Sequence, residues 1–196
     1  MIARLLAELL PSELPLLIAN SSPVRDWESF CPATAPPRPV YSFRGASGID
    51  GTLSLACGLT AAAGPAVLLS GDLALLHDSN GWLWRSQLPA PLTVVLIDNG
   101  GGGIFEQLPI RPSASAPLDF ERLFAMPQAV DPLALAAAHG VPGRQLTCAA
   151  DLQPALAWAM EQPLALLVLR SDRQHDAERR RDLRRMAASL VATPLP

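Results

Sequence analysis

Lysine is absent from the 196-residue sequence: all fifteen basic residues are arginine. Lysine Schiff bases and the P-loop, whose lysine reaches nucleotide phosphates, are therefore excluded. Tyrosine occurs once and aromatic residues make up only 5%, so the core must come from Ala, Leu, Val and Ile. Charged residues are also few, at 17%, but a hydrophobic content of 49% excludes a disordered chain. The three cysteines, Cys31, Cys57 and Cys148, lie far apart without CxxC or Cys/His metal spacing. They read as buried or free thiols of a cytoplasmic protein and exclude a disulfide scaffold. No apolar run is long enough to span a membrane. The first ten residues are apolar but carry Arg4 and Glu8 and lack a small-residue cleavage site, so they read as a helix rather than a secretion signal.

Charge is unevenly placed. Residues 170–185 hold seven Arg against four acids, +3, which leaves −6 elsewhere for the net −3. This is no basic stripe of the kind nucleic acid requires, and the arginine-rich tail reads most simply as a solvated helix face. A role in docking a partner or an anionic ligand is the competing reading. The length fits a single domain, residues 1–196, with a substantial core.

Short apolar runs alternate with longer helical stretches, the pattern of a parallel sheet covered on both faces. Strands are expected at 14–19, 39–43, 66–70, 92–97, 144–146 and 164–169. Helices are expected at 49–63, 78–87, 132–139, 151–161 and 176–190. Asp131-Pro132 gives an N-cap followed by a first-turn proline, and Asp78 or Asn80 is expected to cap the helix at 78–87. Trp82 and Trp84 would face opposite sides of that helix, with at least one of them meeting another chain or domain. Prolines cluster at 32–39, read as a linker, and at 109–117, read as a long loop. The fold class is α/β: three αβα layers around a six-stranded, mainly parallel sheet.

In such a sheet ligands bind beyond the carboxyl ends of the strands. Gly71-Asp72 follows the third strand, and Asp98-Asn99 with Gly100 to Gly103 follows the fourth; Arg44 to Gly51 follows the second. Asp72 and Asn99 are 27 residues apart, but each ends a strand that a βαβ crossover would set beside the other. One carboxylate, one amide oxygen and a backbone carbonyl suit a hard cation such as Mg²⁺, which keeps waters and phosphates among its ligands. Glycines let the backbone approach those phosphates, and amides at the start of a short helix after Asp72 would face the anion. A turn and a flexible loop are the bland alternatives. No GxGxxG follows any strand, which argues against a dinucleotide site.

Gly71-Asp72 with Asn99 resembles the thiamin diphosphate motif, although Leu73 stands where a glycine is usual and Gly100 where a second Asn is usual. Gly-Asp-Leu, RGASGIDG at 44–51, NGGGGIFEQLP at 99–109 and LLIANSSPVRDW at 16–27 together resemble the MenD family, the 2-succinyl-5-enolpyruvyl-6-hydroxy-3-cyclohexene-1-carboxylate synthases. The resemblance covers essentially the whole chain. It implies the C-terminal diphosphate-binding domain of a transferase that uses thiamin diphosphate and Mg²⁺ (or Mn²⁺). That transferase decarboxylates 2-oxoglutarate and adds the succinic semialdehyde unit to isochorismate, on the way to menaquinone or phylloquinone.

By that resemblance, Asp72, the Asn99 side chain and the Gly101 carbonyl would hold the metal. Gly71, Leu73 and Ala74 would contact the diphosphate, Ile49 would prop the cofactor in its bent shape, and Ser47 and Gly48 would lie along the aminopyrimidine. Ser21, Arg25, Arg44, Ile104, Phe105 and Leu108 match positions lining the substrate pocket. Arginine suits substrates with two carboxylates; surface salt bridges for Arg25 and Arg44, and plain packing for Phe105 and Leu108, remain alternatives. The histidines have no partner spacing and read as structural or solvated.

No catalytic residue is expected in this chain. The family's activating glutamate belongs to an N-terminal pyrimidine-binding domain supplied across a subunit interface, and Glu106, Glu121 and Glu161 lie in other contexts. The isolated domain would then be inactive and part of a homo-oligomer, a dimer or tetramer. A different thiamin diphosphate decarboxylase or carboligase and a non-catalytic assembly domain are the alternatives.

Overall fold

The computed structural model describes residues 2–109 and 119–191. They fall into two compact units: one of residues up to Asp98 together with Ala129–Arg170, the other of Asn99–Gln128 and the chain from Ser171.

The first unit is built on six parallel strands: β1 (Leu16–Ile18), β2 (Val40–Ser42), β3 (Ala66–Gly71), β4 (Leu92–Asp98), β5 (Gly143–Leu146) and β6 (Leu164–Arg170). Their order across the sheet is β2-β1-β3-β4-β6-β5, and every pairing is parallel. Alternation along the strands sorts the apolar side chains to two faces. Leu17, Leu68, Val94, Leu96, Leu166 and Val168 point to one face. They pack under α3 (Thr52–Ala63), α4 (Asp72–His77), Trp82 and α5 (Pro132–Ala138). Leu16, Ile18, Val67, Leu69, Val95 and Leu167 point to the other, under α1 (Ile2–Leu9), α2 (Ser22–Phe30) and α6 (Leu152–Met160). Each fully buried Leu or Val contributes about 1.5–3 kcal/mol, which makes the central strands β3, β4 and β6 the rigid base from which the site loops emerge. The expected αβα layering is present, and the sheet is wholly parallel rather than mainly so.

Departures from the expected elements have local causes. Helix α2 sits within SPVRDWESF, where Ser, Pro and β-branched Val give little helical signal. Helix α3 starts at Thr52, later than expected, because Gly51 holds a left-handed φ of 63°. The single helix expected over 78–87 is instead a 3-10 helix, Ser79–Gln87, separated from α4 at Asp78 (φ −121°, ψ 32°). Its first turn, Ser-Asn-Gly, is poor α-helix material. Neither expected cap forms there: the Asp78 carboxylate turns to α3 and accepts from the Ser54 N–H at 2.6 Å and the Ser54 hydroxyl at 3.0 Å. Trp82 is 1% exposed and Trp84 50%. Asp131 caps α5 by accepting from the N–H groups of Leu133 and Ala134. No helix among the described residues is long and apolar enough to cross a membrane. The expected proline-rich loop lies, from residue 110 onward, outside the described residues.

The second unit contains a 3-10 turn at Gly103–Gln107, a π-helical turn at Glu121–Ala125 and α7 (Arg173–Val191). Helix α7 starts three residues earlier than expected.

Candidate functional site

The chain runs from β1 outward to β2 and returns to β3 on the opposite side of β1, so the strand order reverses between β1 and β3. Such a switch point opens a crevice at the carboxyl ends of the strands. Three segments of the first unit emerge there or beside it. After β1 come Asn20, Ser21 and Ser22; after β2 comes the 44–51 loop; after β3 comes Asp72. The Ala19 N–H donates to the Leu69 carbonyl at 2.9 Å, holding the β1 and β3 exits side by side.

Asp72 is half-buried as the first residue of α4, and its Oδ1 accepts the Leu73 N–H at 2.9 Å. Gly71 is extended, Leu73 half-buried and Ala74 buried. Across the exits, the Asn20 amide donates to the Gly48 carbonyl at 2.6 Å, and the Thr52 hydroxyl donates to the Ile49 carbonyl at 3.1 Å. With Asp78 anchoring Ser54 in α3, the loop bearing Ser47, Gly48 and Ile49 is thus tied at its C-terminal end. Ile49 is half-buried and Ser47 exposed. Asn20 and Asp78 were not singled out as site residues from sequence, although Asn20 lies inside LLIANSSPVRDW.

Ser21 carries a φ of 74° with ψ −135°, a backbone conformation that disfavours any side chain. Such strain costs on the order of 1–3 kcal/mol and clusters at ligand sites. Arg25, exposed on α2, donates to the Ser21 carbonyl at 2.8 Å, while Arg44 is exposed on the next loop. Neither makes an ion pair among the described residues. Among the described residues, the guanidinium of Arg25 is held by that one backbone carbonyl.

In the second unit Asn99 is buried, and its side-chain oxygen has no hydrogen-bond partner among the described residues. Gly100 and Gly101 hold left-handed φ values of 77° and 116°. The Gly102 N–H donates to the Ala125 carbonyl at 2.6 Å, and the Gly103 N–H to the Gly101 carbonyl at 2.7 Å. A methyl group on Gly101 would run into the Ala125 carbonyl oxygen, one on Gly102 into that of Phe124, and one on Gly103 would stand 2.6 Å from the Asn99 amide nitrogen. The glycine run is a close-packed turn, not a slack loop. Phe105 packs edge-on against Phe124 at 5.4 Å, Ile104 is half-buried and Leu108 exposed.

Glu106 and Glu121 both bind Arg173, and Glu161 lies at the C-cap of α6. Burial alone would lower the Arg173 pKa, but bonds to Glu121 and Glu106 hold it above the ordinary range. No group of three His, Cys, Asp or Glu side chains among the described residues could hold a metal. An oxygen set drawn partly from amide and backbone groups, the kind Mg²⁺ accepts, fits the unpartnered Asn99 oxygen. The site residues of the first unit gather around one switch point, and those of the second around the glycine turn.

Residues 25–168 match a family model described as thiamine pyrophosphate enzyme, C-terminal TPP binding domain. The chain is similar to the 2-succinyl-5-enolpyruvyl-6-hydroxy-3-cyclohexene-1-carboxylate synthase of Synechococcus sp. (strain CC9311), 60% identical over 92% of this chain and 31% of the relative. It is likewise similar to that of Parasynechococcus marenigrum (strain WH8102), 57% identical over 99% of this chain and 34% of the relative. The chain spans about a third of the length of the curated relatives it matches. Among solved structures, benzoylformate decarboxylase from Polynucleobacter necessarius superposes with a TM-score of 0.69 at 19% identity, over 88% of this chain and 32% of that one. The thiamine diphosphate-dependent 4-hydroxybenzoylformate decarboxylase of Rhodococcus jostii RHA1 gives 0.69 at 17% identity, over 87% and 32%. These two likenesses are of fold alone.

Proposed function

The chain belongs to the thiamine pyrophosphate enzymes as their C-terminal TPP-binding domain, and on that premise we propose that it supplies the metal–diphosphate half-site of a 2-succinyl-5-enolpyruvyl-6-hydroxy-3-cyclohexene-1-carboxylate synthase. Asp72, the Asn99 side-chain oxygen and the Gly101 carbonyl would hold Mg²⁺ or Mn²⁺. Gly71, Leu73 and Ala74 would meet the diphosphate, Ile49 the middle of the cofactor, and Ser47 and Gly48 its aminopyrimidine. When bound, thiamin diphosphate supplies the carbanion chemistry that decarboxylates a 2-oxo acid and transfers the remaining acyl unit.

The observation that carries this reading is the buried, unpartnered oxygen of Asn99 at the mouth of a glycine turn. Leaving a buried acceptor unpaired costs about 1–3 kcal/mol, which a bound cation would offset. In this reading Leu73 and Gly100, where the wider motif has Gly and Asn, leave the ligating oxygens untouched. The sequence likeness to the synthases supports 2-oxoglutarate and isochorismate as substrates. Arg25 and Arg44, unpaired by any described carboxylate, suit their carboxylate groups, with Ser21, Ile104, Phe105 and Leu108 lining the pocket.

Activation would fall to a glutamate of an N-terminal pyrimidine-binding domain, within a homo-oligomer of two or four subunits. A cytoplasmic setting is in keeping with three unpaired cysteines. The test is carboligation of 2-oxoglutarate and isochorismate by the chain, alone and with that domain added. Product only in the combined sample is expected. Turnover by the chain alone, or preference for pyruvate over 2-oxoglutarate in the combined sample, would overturn the reading.

A further inference from the structure

Three polar groups of the second unit meet on one side chain. Arg173, the first residue of α7, donates from Nη1 to the Gly100 carbonyl at 2.8 Å, from Nε to Glu106 at 3.1 Å, and from Nη2 to both oxygens of Glu121. The Arg173 and Glu106 side chains are 13% and 0% exposed, and Glu121 is 56% exposed. Arg181 adds a bond to the Glu106 carbonyl at 3.3 Å.

A buried ion pair is weak ground for stability, because desolvation offsets the attraction. A guanidinium fork adds direction instead, since its planar donors fix several acceptors in one geometry. The segment so fixed has little stiffness of its own. Gly100 and Gly101 both sit in left-handed conformations, and glycine loses more backbone freedom on ordering than any other residue. Asn99 and Gly101 flank the carbonyl that Arg173 holds.

We propose that Arg173 is a positioning residue that sets the turn carrying Asn99 and Gly101 to dimensions suiting Mg²⁺ over Ca²⁺; this rests on the metal–diphosphate reading above. Mg²⁺ demands near-ideal octahedral geometry at about 2.0–2.1 Å, whereas Ca²⁺ tolerates variable coordination at about 2.3–2.6 Å. A loosened turn loses Mg²⁺ first. A side chain that merely stabilised the fold would, when altered, weaken both ions alike or neither.

The test is a thermal-shift titration of the chain with MgCl₂ or CaCl₂ at fixed thiamin diphosphate, comparing wild type, Arg173→Lys and Glu121→Gln. Arg173→Lys is expected to raise the half-saturating Mg²⁺ concentration about tenfold, as outer partners of metal ligands do, and to change that for Ca²⁺ less than about twofold. Glu121→Gln, which loses an exposed partner only, should shift the same ratio in the same direction by a smaller factor. It decides the matter if Arg173→Lys does not fold. An unchanged Mg²⁺/Ca²⁺ ratio in a folded variant overturns the proposal alone. A wild-type chain with no metal-dependent shift overturns the functional reading and this proposal together.

Discussion

Replacing Asp78 by Ala removes the remote cap of α3. Gly51, at the N-cap position, has no side chain with which to satisfy the first-turn amides, and the Asp78 carboxylate, 24 residues away, takes the Ser54 N–H and hydroxyl instead. Hydrogen bonds to a charged group contribute about 1.5–3 kcal/mol when buried, and a lost N-cap about 1. Both bonds here are only part-buried, so the loss should be about 2 kcal/mol, which moves the melting temperature of a chain this size by roughly 4–8 °C. Asp78→Asn keeps one acceptor oxygen and should lose about half as much. Urea unfolding would read the change as a lower midpoint at unchanged slope. A double-mutant cycle with Ser54→Ala should return a coupling of about 1 kcal/mol. A loss under about 0.5 kcal/mol, or no coupling to Ser54, would refute the capping role.

Other outcomes follow from single contacts. Burial, with the Asp78 carboxylate adding to it, pushes the Cys57 thiol up from 9.0 to about 11. The folded state therefore prefers the neutral thiol: this contribution is whole below pH 9.0 and is lost as pH rises through about 11. Urea midpoints measured from pH 8 upward should fall more steeply in wild type than in Cys57→Ala, and thiol reagents should label exposed Cys148 but not Cys57 before unfolding. Gly101→Ala forces a methyl onto the Ala125 carbonyl at a φ of 116°; a loss on the order of 3 kcal/mol or more is expected, seen as faster amide exchange through 100–104, and full stability would count against the close-packed turn. Arg38 donates to the carbonyls of Ala7, Leu10 and Pro11 at the end of α1. Arg38→Ala should cost about 2 kcal/mol, and Arg38→Lys, lacking the fork, should not restore it.

The central strands were legible because parallel strands buried on both faces read as unbroken apolar runs, and AVLLS and LTVVLI do so plainly, whereas β2 and β5 at the sheet edges are mostly exposed. Asp131-Pro132 announced its helix by local chemistry alone. What stayed hidden acts over distance. Asn20 binds Gly48 across 28 residues, Asp78 binds Ser54 across 24, and Arg173 binds Gly100 across 73. None of these pairs leaves a periodicity in the chain, so the sequence around Asp78 suggests a cap for its own neighbours; along the arginine-rich tail Arg179, Arg184 and Arg185 are exposed as a solvated face would be, whereas Arg180 is buried. Ser21 illustrates the same limit: nothing in its residue type forecasts a positive φ. Gly100 to Gly103, by contrast, stand out in the sequence, but what crowds them needed the folded chain: the Ala125 carbonyl at Gly101, the Phe124 carbonyl at Gly102 and the Asn99 side chain at Gly103.

The proposed metal–diphosphate half-site on Asp72 and Asn99 can be probed by the melting temperature of the chain with thiamin diphosphate, with and without Mg²⁺, in wild type and Asp72→Ala. At a ligand concentration 100 times the dissociation constant the gain is about 2.7 kcal/mol, several degrees for a chain of this size. A shift in wild type that requires Mg²⁺ and disappears in folded Asp72→Ala is expected. An equal shift without Mg²⁺, or one that survives the loss of the Asp72 carboxylate, would contradict it.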